Sequence, residues 1–133
     1  MCPSIRPPHS IVLLVGREDF TAPTSFGDAT SIATTDCIAV ATLSPVDGPT
    51  FVSVAPSADR PGLVTLGEYT IEPEGLVSVR DVFHREHDAM GVEAGYVEVR
   101  VLANDALEPD EVVFVVRPPK EGRSGGDAAV RVR

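Results

Sequence analysis

The segment of residues 96–102 constrains the fold most, because its apolar and polar side chains alternate strictly. The segment reads YVEVRVL, so its three valines share one face and its tyrosine, glutamate and arginine share the other. A period of two residues is typical of a β-strand with one dry and one solvated face. We therefore expect a sheet that packs one face against an apolar core.

Six further segments have the composition of short strands, and turn residues separate them. Valine dominates an apolar fraction of 43%, and β-branched side chains fit a pleated surface better than a helix. No helical period of ten residues or more is visible. The sequence predicts an all-β fold, a mostly antiparallel β-sandwich of about seven strands, over residues 11–15, 37–43, 50–55, 63–71, 76–82, 96–102 and 112–116. The expected core residues are Ile38, Val40, Val52, Val54, Val97, Val99, Val101 and Phe114.

Three local patterns refine this expectation. The pair Asp47-Gly48 is a tight-turn signal, so the second and third strands should form a hairpin. The apolar parity of residues 63–71 flips at Gly67, which predicts a β-bulge or bend. The continuous apolar run 11–15 predicts a strand that is covered on both faces. Residues 20–35, rich in Ser, Thr, Ala and Gly, fit either a loop or one helical turn.

The charge divides the 133 residues into two parts. Residues 1–116 hold 6 Arg against 18 Asp and Glu, a net charge of −12, and predict a single acidic domain. Residues 117–133 hold five basic and two acidic side chains, a net charge of +3, and predict a disordered basic tail. No secretory signal and no membrane-spanning apolar run is visible, so we expect a cytoplasmic protein with Cys2 and Cys37 reduced.

An acidic body disfavours nucleic acid as a partner, because phosphates require a basic face. The same charge could attract a basic protein as the partner, and the alternative is that it serves solubility alone. The glycine-rich phosphate-binding fingerprints are missing, and we expect no cofactor and no membrane contact. The sequence does not indicate an oligomeric state.

Residues 81–88, DVFHREHD, form the one polar cluster with metal-ligand chemistry. On a helical turn His84 and His87 would share a face and reach one metal, whereas on a strand they would point apart. We expect a solvated loop, no metal and no catalysis. The alternative is a metal-assisted hydrolase that uses His84, His87 and Asp88. Cys37 opens an apolar strand, and we expect it to act as a small buried hydrophobe and not as a nucleophile.

Acidic side chains cluster at the expected turns and strand ends. If two clusters share one end of the sandwich, they form an acidic patch, and such patches speed association with basic proteins. The predicted partner-binding residues are Glu72, Glu74, Asp105, Glu108, Asp110 and Glu111.

From residue 64 the chain reads VTLGEYTIEPEGLVSVRDVF, then GYVEVRVLA and a last apolar strand, EVVFVV. With Gly75 and Gly95-Tyr96 at the turn positions, residues 10–116 resemble small bacterial β-sandwich proteins related to the competence nuclease inhibitor. The resemblance carries no functional residue over. It implies a non-enzymatic binding module, such as an inhibitor or immunity-type partner of a basic protein like a nuclease. The alternative among non-enzymatic proteins is a structural protein that self-assembles through an exposed strand edge.

Overall fold

A computed structural model describes residues 4–18, 20, 29–58, 61–83, 85–93 and 95–117. It confirms the predicted all-β fold, although with ten strands instead of seven. The described residues contain no α-helix, and a single 3-10 turn spans Pro8–Ser10. The strands are β1 (Ser4–Ile5), β2 (Ile11–Val15), β3 (Ser31–Ala33), β4 (Cys37–Ala41), β5 (Thr50–Ala55), β6 (Val64–Ile71), β7 (Leu76–Asp81), β8 (Glu86–Gly91), β9 (Val97–Ala103) and β10 (Glu111–Arg117).

Two five-stranded sheets form the sandwich. The first sheet has the order β1-β5-β10-β9-β6, and all its pairs are antiparallel except β5 with β10. The second sheet has the order β3-β4-β2-β7-β8 and is antiparallel throughout. The predicted hairpin of β4 and β5 is wrong, because these strands belong to different sheets. Strands β2 and β3 occupy both edges of β4, so β5 pairs with β1 and β10 instead.

The core lies between the sheets and contains all eight residues predicted for it. Phe114 is its largest fully buried side chain. A smaller apolar cluster on the outer side of the second sheet joins Leu13 and Val15 of β2 to Cys37 and Ala39 of β4. Because Val12 and Leu14 face the main core, β2 is buried on both faces, as its continuous apolar sequence predicts.

The predicted irregularity at Gly67 is confirmed. The pairing of β6 with β9 shifts between Thr65 and Gly67, which leaves Leu66 as the extra residue of a bulge. The ring of Tyr69 then lies against Gly67, where a Cβ would stand only 2.6 Å from the Tyr69 hydroxyl oxygen. That hydroxyl lies 2.6 Å from Ser31 Oγ and so joins the β6 edge of one sheet to the β3 edge of the other.

The register of the sheets defines two ends. Val64 pairs with Ala103 and Ile71 pairs with Val97, so the β9–β10 loop and the β6–β7 turn lie at opposite ends of the first sheet. The loop of residues 42–49 joins the first of these ends, because Leu43 N donates to the Pro109 carbonyl at 2.8 Å. Two further segments complete this end, the 3-10 turn before β2 and the described residues of segment 81–85, which begins with the last residue of β7. We call it the loop end, and we call the end that carries residues 72–75 the turn end.

Candidate interaction surface at the loop end

Hydrogen bonds fasten the loops of the loop end to one another. Besides the bond between Leu43 and Pro109, the amide of Phe51 donates to the Asp110 carbonyl at 2.8 Å. The guanidinium of Arg6 donates to the Pro45 carbonyl. The β4–β5 loop therefore lies beside the β9–β10 loop on one side and the N-terminal segment on the other.

The β4–β5 loop, the β9–β10 loop and the turn after β7 each expose an apolar side chain at the loop end. Val46 is 86% exposed, Leu107 is 78% exposed and Phe83 is 61% exposed. We call these three residues the apolar tips. Phe51 and Val64, which are also exposed, lie at the same end, whereas Leu76 and Tyr96 are the exposed large hydrophobics of the turn end. Exposed apolar groups thus gather where the loops meet.

The turn that displays Phe83 is built on the buried carboxylate of Asp81. Asp81 Oδ1 accepts hydrogen bonds from the amides of Phe83, at 2.8 Å, and Arg85, at 3.2 Å. Asp81 Oδ2 accepts from Arg85 Nε at 2.8 Å and lies 3.1 Å from His87 Nε2. Burial raises the pKa of Asp81, but the bonds from His87, Arg85 and Phe83 together lower it below its ordinary value. The charged carboxylate therefore fixes this turn. We call Asp81 and its bonds with Phe83, Arg85 and His87 the Asp81 hub.

Phe83 also has two aromatic or cationic neighbours. The ring of His9 meets it edge-on with centroids 6.1 Å apart, and the Arg85 guanidinium carbon lies 5.7 Å from its centroid. His9 and the next residue, Ser10, have φ values of 59° and 60°, in the left-handed region that non-glycine residues seldom adopt. Backbone strain of this kind concentrates at sites with a function.

Two polar side chains shape the β9–β10 loop. Asp105 Oδ1 accepts from the amides of Leu107, at 2.8 Å, and Glu108, at 3.0 Å, and these bonds lower the pKa of Asp105. Asn104 Oδ1 accepts from the amides of Asp110 and Glu111, and Asn104 Nδ2 donates to the Asp110 carboxylate. The acidic loop is thus ordered by its own side chains.

Four of the arginines that the structure describes form ion pairs with carboxylates. Arg17 pairs with Glu74, Arg80 with Glu18, and Arg100 with Glu68, at 3.0, 2.7 and 3.2 Å. Arg85 pairs with Asp81.

By contrast, four loop-end carboxylates make no ion pair with any other residue that the structure describes, namely Asp47, Asp105, Glu108 and Asp110. Over the described residues of segments 6–10, 42–51, 81–85 and 104–111, six acidic and two basic side chains give a net charge of −4.

The two groups of predicted partner-binding residues lie at opposite ends of the sandwich. Glu72 and Glu74 lie in the β6–β7 turn at the turn end, where the Glu72 amide donates to the Thr35 carbonyl. Asp105, Glu108 and Asp110 lie at the loop end, together with Glu111, the half-buried first residue of β10. The acidic patch that the sequence suggested can therefore contain the second group but not the first.

Residues 86–88 are not the solvated loop that the sequence suggested, because they begin β8. His84 lies outside the described residues. His87 contacts Asp81, whereas Asp88 Oδ2 accepts the Val54 amide at 3.1 Å and so covers the edge of β5. Within the ranges that the structure describes, no group of three or more His, Cys, Asp or Glu side chains could hold a metal ion.

Cys37 is fully buried, as its apolar surroundings predict. Burial, together with the nearby charge of Asp36, raises the pKa of its thiol to about 12. Because the thiolate is the reactive form, this residue is a poor nucleophile at neutral pH.

Three grooves on the described surface have volumes of about 290, 190 and 180 Å³. Each is smaller than the roughly 300–1,000 Å³ of ordinary small-molecule pockets. The largest lies on the outer face of the first sheet, between the charged side chains of Glu68, Glu98, Arg100 and Arg117.

No family model, no curated protein and no solved structure matches this chain. The resemblance to relatives of the competence nuclease inhibitor therefore stays a prediction. Among the described residues, no helix has the length and apolar character that crossing a membrane requires.

The apolar tips and the Asp81 hub are the features that sequence reasoning missed. The sequence signal for the apolar tips is an apolar residue inside a turn-forming segment, such as Val46 in SPVDGP and Leu107 in NDALEPD. For Phe83 and the Asp81 hub, the signal is an aspartate at the end of a strand with an apolar residue just after it, as in DVF.

Proposed function

We propose that this protein is a non-enzymatic binding module for a basic protein, acting as an inhibitor or immunity-type partner of, for example, a nuclease. The observation that carries the proposal is the group of four loop-end carboxylates without an ion-pair partner among the described residues. An excess of unpaired negative charge on one surface steers a basic partner toward it and raises the association rate. The resemblance to the nuclease-inhibitor relatives points in the same direction.

The longest edge strand among the described residues supports self-assembly less well. Strand β6 is an eight-residue edge strand, but it carries a bulge at Leu66 and a charged side chain at Glu68. Bulges and charges are devices by which natural edge strands avoid pairing with other chains. The metal-assisted hydrolase has weaker support, since His87 already contacts the Asp81 carboxylate and Asp88 already accepts a hydrogen bond from the Val54 amide.

A capture experiment with matched variants tests the proposal. The immobilised full chain is exposed to host proteins at about 0.1 M and about 1 M salt, where exposed charges are screened beyond about 10 Å and about 3 Å respectively. The pair Asp105→Asn and Glu108→Gln removes two loop-end charges and keeps the Asp105 side-chain acceptor. The pair Glu72→Gln and Glu74→Gln removes two charges at the turn end and is the control.

We expect wild type and the turn-end variant to retain a basic protein that high salt releases, and the loop-end variant to retain much less of it. Equal retention by both variants would show that the loop-end charges do not guide binding. A homo-oligomer that survives high salt would favour self-assembly. Hydrolysis that is lost when His84 and His87 are both replaced by alanine would establish the enzyme.

A further inference from the structure

We infer that the apolar tips Val46, Phe83 and Leu107 anchor the basic partner, and that the loop-end carboxylates form the rim of the same contact. This inference rests on the proposed function and adds to it the site and the chemistry of the partner: a protein surface with an apolar pocket inside a basic border. In protein interfaces a few well-packed apolar or aromatic side chains provide most of the affinity, and polar groups surround them.

Phe83 is suited to be the central anchor, because its turn is ordered before binding. Two amides of the turn, those of Phe83 and Arg85, are held by the buried Asp81 carboxylate, and the ring itself contacts His9 and Arg85. An anchor that is already ordered loses little conformational entropy on binding, so more of its contact energy appears as affinity.

Leu107 is ordered in the same way, by the bond from its amide to Asp105. Asp105 therefore has two roles: it shapes the loop that presents Leu107, and it supplies a rim charge. Val46 is held less directly, since its amide donates to Ser44 Oγ at 3.4 Å. The Pro45 carbonyl beside it accepts from the Arg6 guanidinium.

The charge of the loop end selects a basic protein over two other occupants. A second copy of this chain that used the same surface would bring two ends of net charge −4 together, and like charges opposed in an interface cost free energy. An anionic bilayer would repel the same carboxylates. A cationic protein surface gains from them, and it can also receive the apolar tips.

Two aromatic residues provide a matched comparison. Phe83 at the loop end is 61% exposed and Tyr96 at the turn end is 58% exposed. The partner recovered with wild type is purified, and its association and dissociation rates are measured with Phe83→Ala, Leu107→Ala, Tyr96→Ala and Leu76→Ala. Because the four side chains are at least 45% exposed, each variant should fold, and urea unfolding verifies this.

We expect Phe83→Ala to weaken binding by about 30-fold, the size of a hot-spot truncation, and Leu107→Ala by about fivefold or more. The loss should lie in the dissociation rate, because apolar anchors act after encounter. Tyr96→Ala and Leu76→Ala should bind like wild type. By contrast, the Asp105→Asn and Glu108→Gln pair should lower the association rate.

The outcomes separate the inference from the proposed function. If no basic protein is released by salt, both fail. If the charge variant weakens binding but Phe83→Ala and Leu107→Ala do not, only the anchor inference fails.

Two assays that need no partner test the other occupants. If wild type sediments with phosphatidylserine vesicles and Phe83→Ala does not, the apolar tips belong to a membrane-binding surface. A dimer that Phe83→Ala dissociates would assign them to a second copy.

Discussion

Removing the Asp81 carboxylate should destabilise the protein more than any single loss of an exposed acid. In Asp81→Ala the amides of Phe83 and Arg85 lose their acceptor, and each such bond contributes about 1 kcal/mol. The Arg85 side chain is 64% exposed, so its ion pair adds less than about 1 kcal/mol. The contact with the mostly buried His87 adds about 1 kcal/mol. The expected loss is about 3–4 kcal/mol of unfolding free energy.

Asp81→Asn separates the two contributions of the hub. The amide oxygen can still accept from the turn, whereas the negative charge that pairs with Arg85 and strengthens the bond with His87 is gone, so we expect a loss of about 1–2 kcal/mol. Urea unfolding followed by far-UV circular dichroism measures both variants. Asp47→Ala, at an exposed loop position, is the control and should change the unfolding free energy by less than about 0.5 kcal/mol. An Asp81→Ala loss no larger than this control would refute the account of the hub.

Three further predictions concern acid stability, reactivity and packing. The pKa of Asp81 is lowered in the folded protein from its ordinary value of 3.8. The Asp81 carboxylate therefore stabilises the fold fully at pH values above 3.8, and this stabilisation is lost as the pH falls through the lowered pKa. In acid titrations of stability, wild type should therefore lose more free energy than Asp81→Asn between about pH 5 and pH 2. In a Cys2→Ser background, a disulfide reagent at neutral pH should label Cys37 only after denaturant is added, because its pKa is about 12; rapid labelling of the native protein would contradict its burial. Phe114→Ala should cost about 3–5 kcal/mol in urea unfolding, since this side chain is fully buried between the sheets.

The sequence predicts those strands well whose burial leaves a pattern. Strand β9 alternates, β10 and β2 are continuously apolar, and each lies within two residues of its predicted bounds. Strand β8, EHDAMG, has only two apolar side chains, Ala89 and Met90, and these are adjacent and do not alternate; it is an edge strand held by pairing with β7 and by the bond from Val54 N to Asp88. Such a strand depends on its neighbours, so its own composition does not reveal it.

The sequence predicts the charge of the candidate site, but it does not predict which residues lie together at one end of the sandwich. Composition reveals that the body is acidic, and turn positions indicate which carboxylates are exposed. Whether Glu72 and Asp105 share an end depends on the antiparallel pairing of β6 with β9, which only the topology decides. The hub at Asp81 is equally hidden, because its four hydrogen bonds, with Phe83, Arg85 and His87, form only when the turn after β7 closes.

The footprint of the partner on this protein shows whether the partner binds at the loop end. Backbone hydrogen–deuterium exchange of the full chain is compared with and without the purified basic partner that wild type captures. We expect slowed exchange in residues 42–49, 81–85 and 104–110 and unchanged exchange in residues 72–75. Protection confined to the turn end, or to the edge strands β6 and β8, would contradict a partner-binding surface at the loop end.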